Sequence, residues 1–286
     1  MKYTFIRAHE AEFQVQRMCR VLEVKRSGYY AWRQRKPSSR AQANQVLLEQ
    51  IEQAHQASRH TYGSPRIQVA LRRQGLRHGR NRIARLMRSH QIVALHQRKW
   101  HPITTQRAPG VLPAPNRLAQ DFSARVPNEK WVSDFTYIET KEGWLYFAVI
   151  LDLFSRRVIG WSMQANMDSL LVESALRMAL QDRQPAAGVL HHSDQGSQYT
   201  AASYLALLNG ALAQCSMSRV GNCYDNAVIE SFFATLKTEC VTGPFPTRAL
   251  ARTTIFEYVE LWYNRKRLHS SLGYRSPVEF EQQFSL

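Results

Sequence analysis

Three β-rich runs, Trp131 to Glu139, Trp144 to Phe154 and Arg157 to Gln164, are joined by the short turns Glu142-Gly143 and Ser155-Arg156, which admit only antiparallel neighbours. Downstream, a helical pattern from Ser169 to Gln181, a strand from Val189 to Ser193, a helix from Ala201 to Asn209 and a strand from Leu212 to Ser218 alternate. Alternation of this kind calls for parallel pairing through helical crossovers. The two patterns together predict an α/β fold, with one mixed five-stranded sheet flanked by helices.

Asp134 interrupts the first run in Trp-Val-Ser-Asp-Phe-Thr-Tyr, where an acid is a poor strand former and is costly if buried without compensation. Asp194 closes the fourth strand in His-His-Ser-Asp-Gln-Gly-Ser-Gln-Tyr, at the carboxyl edge where open α/β sheets place their sites; Gly196 there permits close approach of a ligand. Glu230 lies on a helix opened by Asn222-Cys-Tyr-Asp-Asn. At about 100° per residue, Lys237 falls about 20° from Glu230, beside the apolar face of Ile229, Phe233, Leu236 and Cys240.

Singly, each acid has an ordinary reading: Asp134 facing solvent on an edge strand, Asp194 capping the next helix, Glu230 pairing with Lys237 or Asn226. Three carboxylates converging on one sheet edge would instead repel, raising one another's pKa unless divalent cations neutralised them. All-oxygen ligation suits Mg²⁺ or Mn²⁺. Two such ions can activate a water or a 3′-hydroxyl and stabilise the leaving oxygen during in-line attack on a phosphodiester. Asp152 also lies in a strand, but three residues before a turn it reads as an acceptor of local backbone hydrogen bonds. Asp225 and Asn226 read as loop and cap residues, His191 and His192 as packed histidines, and Trp262 with Tyr263 as core.

The net charge of +16 is unevenly distributed. Met1 to Lys130 carries 25 Lys and Arg against 7 Asp and Glu, whereas Trp131 to Leu286 carries 13 against 15. Such an excess on helical patterns points to a polyanion, and nucleic acid fits best. Gln14 to Arg35 reads as two short helices broken near Lys25 to Gly28, the second begun by Ser27 as N-cap. A clearer pair follows, with Ser64-Pro65 as N-cap and first-turn proline, Ile67, Ala70 and Leu71 as the apolar stripe, and Gly75 as the stop. The next helix buries Ile83, Leu86 and Met87 and presents Arg80, Arg82, Arg85 and Arg88; with Arg66 these are the candidate DNA-binding residues. A helical bundle with a solvated arginine face is the alternative.

Periodicity stops between His101 and Pro127, where five prolines mark a connection. The expected division is therefore 1–40 helix-turn-helix-like, 41–100 helical DNA-binding, 101–125 linker, and 126–286 catalytic core with a helical extension. The longest apolar stretch is too short to span a bilayer, and Cys19, Cys215, Cys223 and Cys240 are scattered without a C-x-x-C pair. These features point to a cytoplasmic protein.

Trp131-Val-Ser-Asp134, His192-Ser-Asp194-Gln-Gly-Ser-Gln-Tyr199 and Asp225-Asn-Ala-Val-Ile-Glu230-Ser-Phe-Phe-Ala-Thr-Leu-Lys237 resemble the signature of insertion-sequence transposases with a retroviral integrase-like DDE core. The 35 residues between Asp194 and Glu230, and a basic residue seven beyond the Glu, match that family's pattern. Tyr62-Gly-Ser-Pro-Arg66 and the segment from Tyr263 to Pro277 are similar to further signatures of the second-frame protein of two-frame insertion sequences.

The resemblance implies a ribonuclease H-like integrase core behind an all-α helix-turn-helix region, with Asp134, Asp194 and Glu230 as catalytic metal ligands for two Mg²⁺ or Mn²⁺ ions. It further implies 3′-end cleavage followed by strand transfer, Lys237 contacting DNA near the scissile phosphate, and homo-oligomers on transposon ends and target DNA. A first-frame helix-turn-helix protein, fused or separate, is the implied partner. Two other readings are a non-catalytic DNA-binding regulator and a ribonuclease H-like nuclease without strand transfer.

Overall fold

The computed structural model describes residues 1–95, 114–219 and 223–284, so the first part of the expected linker lies outside the described residues. Helices α1 (Lys2–Ala8), α2 (Val15–Val21) and α3 (Arg26–Gln34) close around Ile6, Met18, Cys19 and Tyr29. Helix α3 starts one residue before Ser27, with Lys25 at the cap position and no side-chain cap; Ser27 thus lies inside the first turn rather than capping it.

Helix α4 (Ser39–Ala57) is capped by Ser38, whose Oγ accepts the Ala41 N–H at 3.2 Å. Helices α5 (Ser64–Arg73) and α6 (Arg80–Ser89) pack on α4 through Ile67, Leu71, Ile83, Leu86 and Met87 against Leu47 and Ile51. Gly63 rather than Ser64 takes the cap position of α5, while Pro65 occupies the first turn as expected. Gly75 adopts φ +82° just beyond α5, a left-handed conformation that favours glycine at a helix stop.

The sheet comprises β1 (Lys130–Ile138), β2 (Leu145–Asp152), β3 (Val158–Gln164), β4 (Leu190–Ser193) and β5 (Gln214–Met217), in the order β3-β2-β1-β4-β5. Strands β1, β2 and β3 pair antiparallel, whereas β4 lies parallel to β1 and to β5. This is the mixed five-stranded sheet expected from the meander and the alternation. One face packs Trp131, Ala148, Ile150 and Ile159 under α7 (Ser169–Arg183) and α8 (Ala202–Gly210). The other packs Val132, Phe147, Val149 and Leu151 under α9 (Ala227–Glu239), α10 (Arg248–Phe256) and the π-helical turn Glu257–Tyr263. With both faces covered, β2 is a continuous apolar run rather than an alternating one.

Helix α11 (Pro277–Gln282) closes the fold with a capping box between Ser276 and Glu279. Its buried Glu281 accepts Arg183 Nη1 at 2.9 Å, Arg157 Nη1 at 2.7 Å and the Ser155 hydroxyl at 2.7 Å. Asp152 joins this network. Its two oxygens accept the Asn128 and Phe154 amides, each at 2.8 Å, and Arg183 Nη2 at 3.2 Å, the local backbone role its position predicts. The helical apolar core continues without a break into that of the sheet through Tyr62.

Candidate active site

Strand β1 carries Asp134 half-buried, with its Oδ1 accepting the next residue's amide, Phe135 N–H, at 2.8 Å. The parallel neighbour β4 ends at Ser193 and delivers Asp194, 9% exposed, to the same end of the sheet. Asp194 Oδ1 accepts the Gly196 amide at 2.9 Å, so the chain turns tightly around the carboxylate. Glu230 lies in the first turn of α9, which packs on β1 through Ile229, Phe233 and Leu236 and thereby holds Glu230 and Lys237 alongside the strand.

Electrostatics tie the four groups together. Burial raises the Asp134 carboxyl well above the ordinary range; Asp194 and then Glu230 raise it further, while the Phe135 amide and Lys237 act in the opposite direction. Burial alone raises Glu230, and burial lowers Lys237 against the pull of Asp134. Lys237 Nζ sits 4.9 Å from the centroid of the Tyr137 ring.

The carboxylates share one field without forming a closed cluster. Among the described residues, no three His, Cys, Asp or Glu side chains are grouped so as to hold a metal ion. The donor chemistry nevertheless fits a hard divalent cation, because the ionised form of Asp134 is opposed by burial and by two neighbouring carboxylates.

Two braces fix the loops that present these groups. Gln195 Nε2 donates to Ser218 O at 2.9 Å, tying the segment after Asp194 to the end of β5. Asp225, fully buried, accepts Asn116 Nδ2 at 2.8 Å, Gln120 Nε2 at 3.2 Å, and the Arg219 amide and Nε at 3.0 and 3.3 Å. By sequence Asp225 is only a loop or cap residue; the structure makes it a junction of three segments at the entrance to α9. His191 and His192 are packed as expected. His191 Nε2 lies 3.1 Å from the Tyr204 hydroxyl and His192 Nδ1 lies 2.8 Å from Ser216 Oγ, and burial lowers their pKa values to about 3 and about 4.

The candidate DNA-binding arginines separate. Arg80, Arg85 and Arg88 are exposed on α6. Arg82 Nε instead donates to Asn44 Oδ1 of α4 at 2.9 Å, and Arg66 lies half-buried over the Tyr62 ring, 5.6 Å from its centroid. Trp262 and Tyr263 are core, at 7% and 3% exposure. Among the described residues no helix is long and apolar enough to cross a membrane.

Family models of an integrase core domain match residues 124–223 and 230–284, and one of an HTH-like domain matches residues 42–100. The transposase InsF for insertion sequence IS3A of Escherichia coli K12 is 46% identical over 286 residues, covering 99% of each chain. An insertion element IS600 31 kDa protein of Shigella sonnei is 43% identical over 93% of this chain and 98% of its own. The HTLV-2 integrase catalytic core domain in complex with magnesium superposes with a TM-score of 0.42 at 15% identity, over 56% of this chain and 99% of that one.

Proposed function

Because the chain belongs to the insertion-sequence transposases with an integrase core and an HTH-like domain, we propose that it cleaves the 3′ ends of its element and joins them to target DNA at Asp134, Asp194 and Glu230. The observation that carries this reading is the common field in which these three acids and Lys237 sit at one end of the sheet. Asp134, Asp194 and Glu230 would hold Mg²⁺ or Mn²⁺, on this reading two ions. When bound, such cations supply activation of the attacking oxygen and charge for the leaving one.

The remaining work falls to the protein. Lys237, held along β1 by α9, faces a non-bridging phosphate oxygen, and the Gly196 turn lets the strand approach Asp194 closely. Arg80, Arg85 and Arg88 neutralise backbone phosphates of the element's end. Residues 41–100 thus address DNA, 101–125 connect, and 126–286 cut and join, in the cytoplasm, as a homo-oligomer that brings two ends together, with a first-frame helix-turn-helix protein as partner. In the first step the bond between phosphorus and the element's terminal O3′ breaks as the bond to water forms, which leaves the phosphate on the flanking strand. In the second, that 3′-hydroxyl bonds to a target phosphorus as the target strand's own P–O3′ bond breaks, and in each step the departing oxygen takes up a proton.

The test is purified protein with Mg²⁺ or Mn²⁺ and an oligonucleotide carrying the element's end, read for nicked and joined products. Asp134→Asn, Asp194→Asn and Glu230→Gln are expected to bind the end and lose cleavage by a factor of about 10² or more. Any of the three cutting at the wild-type rate removes that residue from the site. Nicking without joined product favours a nuclease, and binding without either favours a regulator.

A further inference from the structure

The β1–β2 hairpin ends in an aromatic that the fold covers only in part. Trp144 is 47% exposed, with its ring meeting that of Tyr137 edge-on at 5.1 Å and 76°; Tyr137 in turn underlies Lys237 Nζ. An indole left half in water forgoes part of its burial energy, and here the backbone around it is held firmly in place. Lys141 N–H donates to Phe245 O at 2.8 Å, Arg248 N–H donates to Glu142 Oε2 at 2.8 Å, and Arg248 Nε donates to Trp144 O at 3.1 Å. Gly143, at φ +100°, permits this closeness, since a Cβ there would lie 2.9 Å from Arg248 Nη2.

The result is an indole set against the Tyr137 ring on a braced hairpin tip, with Arg248 bonded to the Trp144 carbonyl, Lys237 over Tyr137, Lys141 exposed in the same turn, and Glu142 turned to the α10 amide. Along β1, Tyr137 lies three residues from Asp134, about 10 Å in an extended strand, or about three stacked nucleotides. We propose that Trp144 is a stacking platform for an unpaired nucleobase of the strand whose phosphate occupies the carboxylate site. The flanking cations hold that strand's backbone. An aromatic face is sequence-tolerant for bases, and the adjacent positive charge suits a nucleic acid strand. The inference rests on the DNA-cutting role proposed above and adds the ligand that the hairpin tip takes.

The experiment uses the full chain and end oligonucleotides with 5-iodouracil, or an abasic site, at each of the three nucleotides on either side of the scissile phosphate. Irradiation is expected to crosslink one position to Trp144, identified by peptide mass. Trp144→Ala should cut about tenfold more slowly than wild type and Trp144→Phe within about twofold, the size of one lost base–aromatic stack. An abasic site at the crosslinking position should slow wild type equally and slow Trp144→Ala no further. Thermal unfolding of Trp144→Ala checks its fold, and Trp144→Phe preserves the packing on Tyr137 if that variant unfolds. Wild-type cutting by Trp144→Ala, an undiminished abasic effect in it, or crosslinks mapping elsewhere would overturn the platform alone. A wild-type chain that cuts no end would overturn the DNA-cutting role, and the platform with it.

Discussion

The hydroxyl of Tyr62 accepts the backbone N–H of Leu268 at 2.8 Å, across 206 residues of sequence, and donates to Lys266 O at 3.3 Å. Around it the Tyr62 and Trp262 rings lie 5.9 Å apart, and Arg73 donates to both oxygens of Glu279 at 2.9 and 3.0 Å. Two segments singled out in the sequence, the one around Tyr62 and the one from Tyr263 onward, are thus the two sides of one joint between helical region and core. Tyr62→Phe leaves the Leu268 amide buried without an acceptor and is expected to cost about 1–2 kcal/mol in urea unfolding. A change below about 0.3 kcal/mol would place the docking energy elsewhere.

Glu239 and Arg267 form a second joint. Arg267 Nε lies 3.0 and 2.9 Å from the two Glu239 oxygens and Nη2 lies 2.7 Å from Oε1, while Tyr258 donates to the same carboxylate at 2.9 Å. Glu239→Gln strips the counter-charge from a guanidinium that already shares the field of Arg66 and His269. The expected loss is about 3–5 kcal/mol. The double variant Glu239→Leu/Arg267→Met should regain much of it, and an additive cycle would contradict the pairing.

Gly160 is the point where β3 touches α7. A Cβ there would run into the Ala175 carbonyl oxygen and come within 2.8 Å of Ala179 Cβ. Helix backbone cannot yield as a side-chain end can, so Gly160→Ala should destabilise by about 3 kcal/mol, read as a lowered Tm; an unchanged Tm would refute this packing.

Acid should weaken the fold through His191. Its folded pKa is lowered to about 3, against an unfolded value of about 6.5, so the unfolded chain binds the proton first. Stability from this group is complete above about pH 6.5 and falls as pH drops toward about 3, amounting to about 2 kcal/mol lost by pH 5. His269, also lowered by burial and by Arg267, acts in the same direction. Unfolding at pH 7.5 and pH 5 should show His191→Phe losing about 2 kcal/mol less than wild type; equal losses would exclude His191 as the sensor.

What was legible in the sequence was whatever is written in local periodicity. The meander, the crossovers and the position of Asp134 on β1 follow from alternation and turn residues, and Pro65 and Gly75 bracket α5 closely. Cap chemistry was less secure, since Ser27 and Ser64 both lie inside helices whose first residues precede or include them. The junction at Asp225 was invisible, because Asn116, Gln120 and Arg219 meet it only once the chain has folded back. The π-helical turn was equally hidden: buried Tyr258, Val259, Trp262 and Tyr263 have the spacing of an ordinary amphipathic helix, and only packing distinguishes the two.

Glu281 lies 98 residues beyond Arg183 and 126 beyond Ser155, yet it is the carboxylate on which Arg183, Arg157 and Ser155 converge. A ribosome that has already released every strand of the sheet has not yet made this counter-charge. Until it emerges, Arg183 has only Asp152 as an acidic partner in this network. A copy of the gene interrupted between Glu230 and Glu281 therefore encodes all three candidate catalytic acids and still yields a chain in which Arg157 and Arg183 lack this counter-charge. Damage near the 3′ end of the reading frame thus removes stability while leaving every candidate catalytic acid in place.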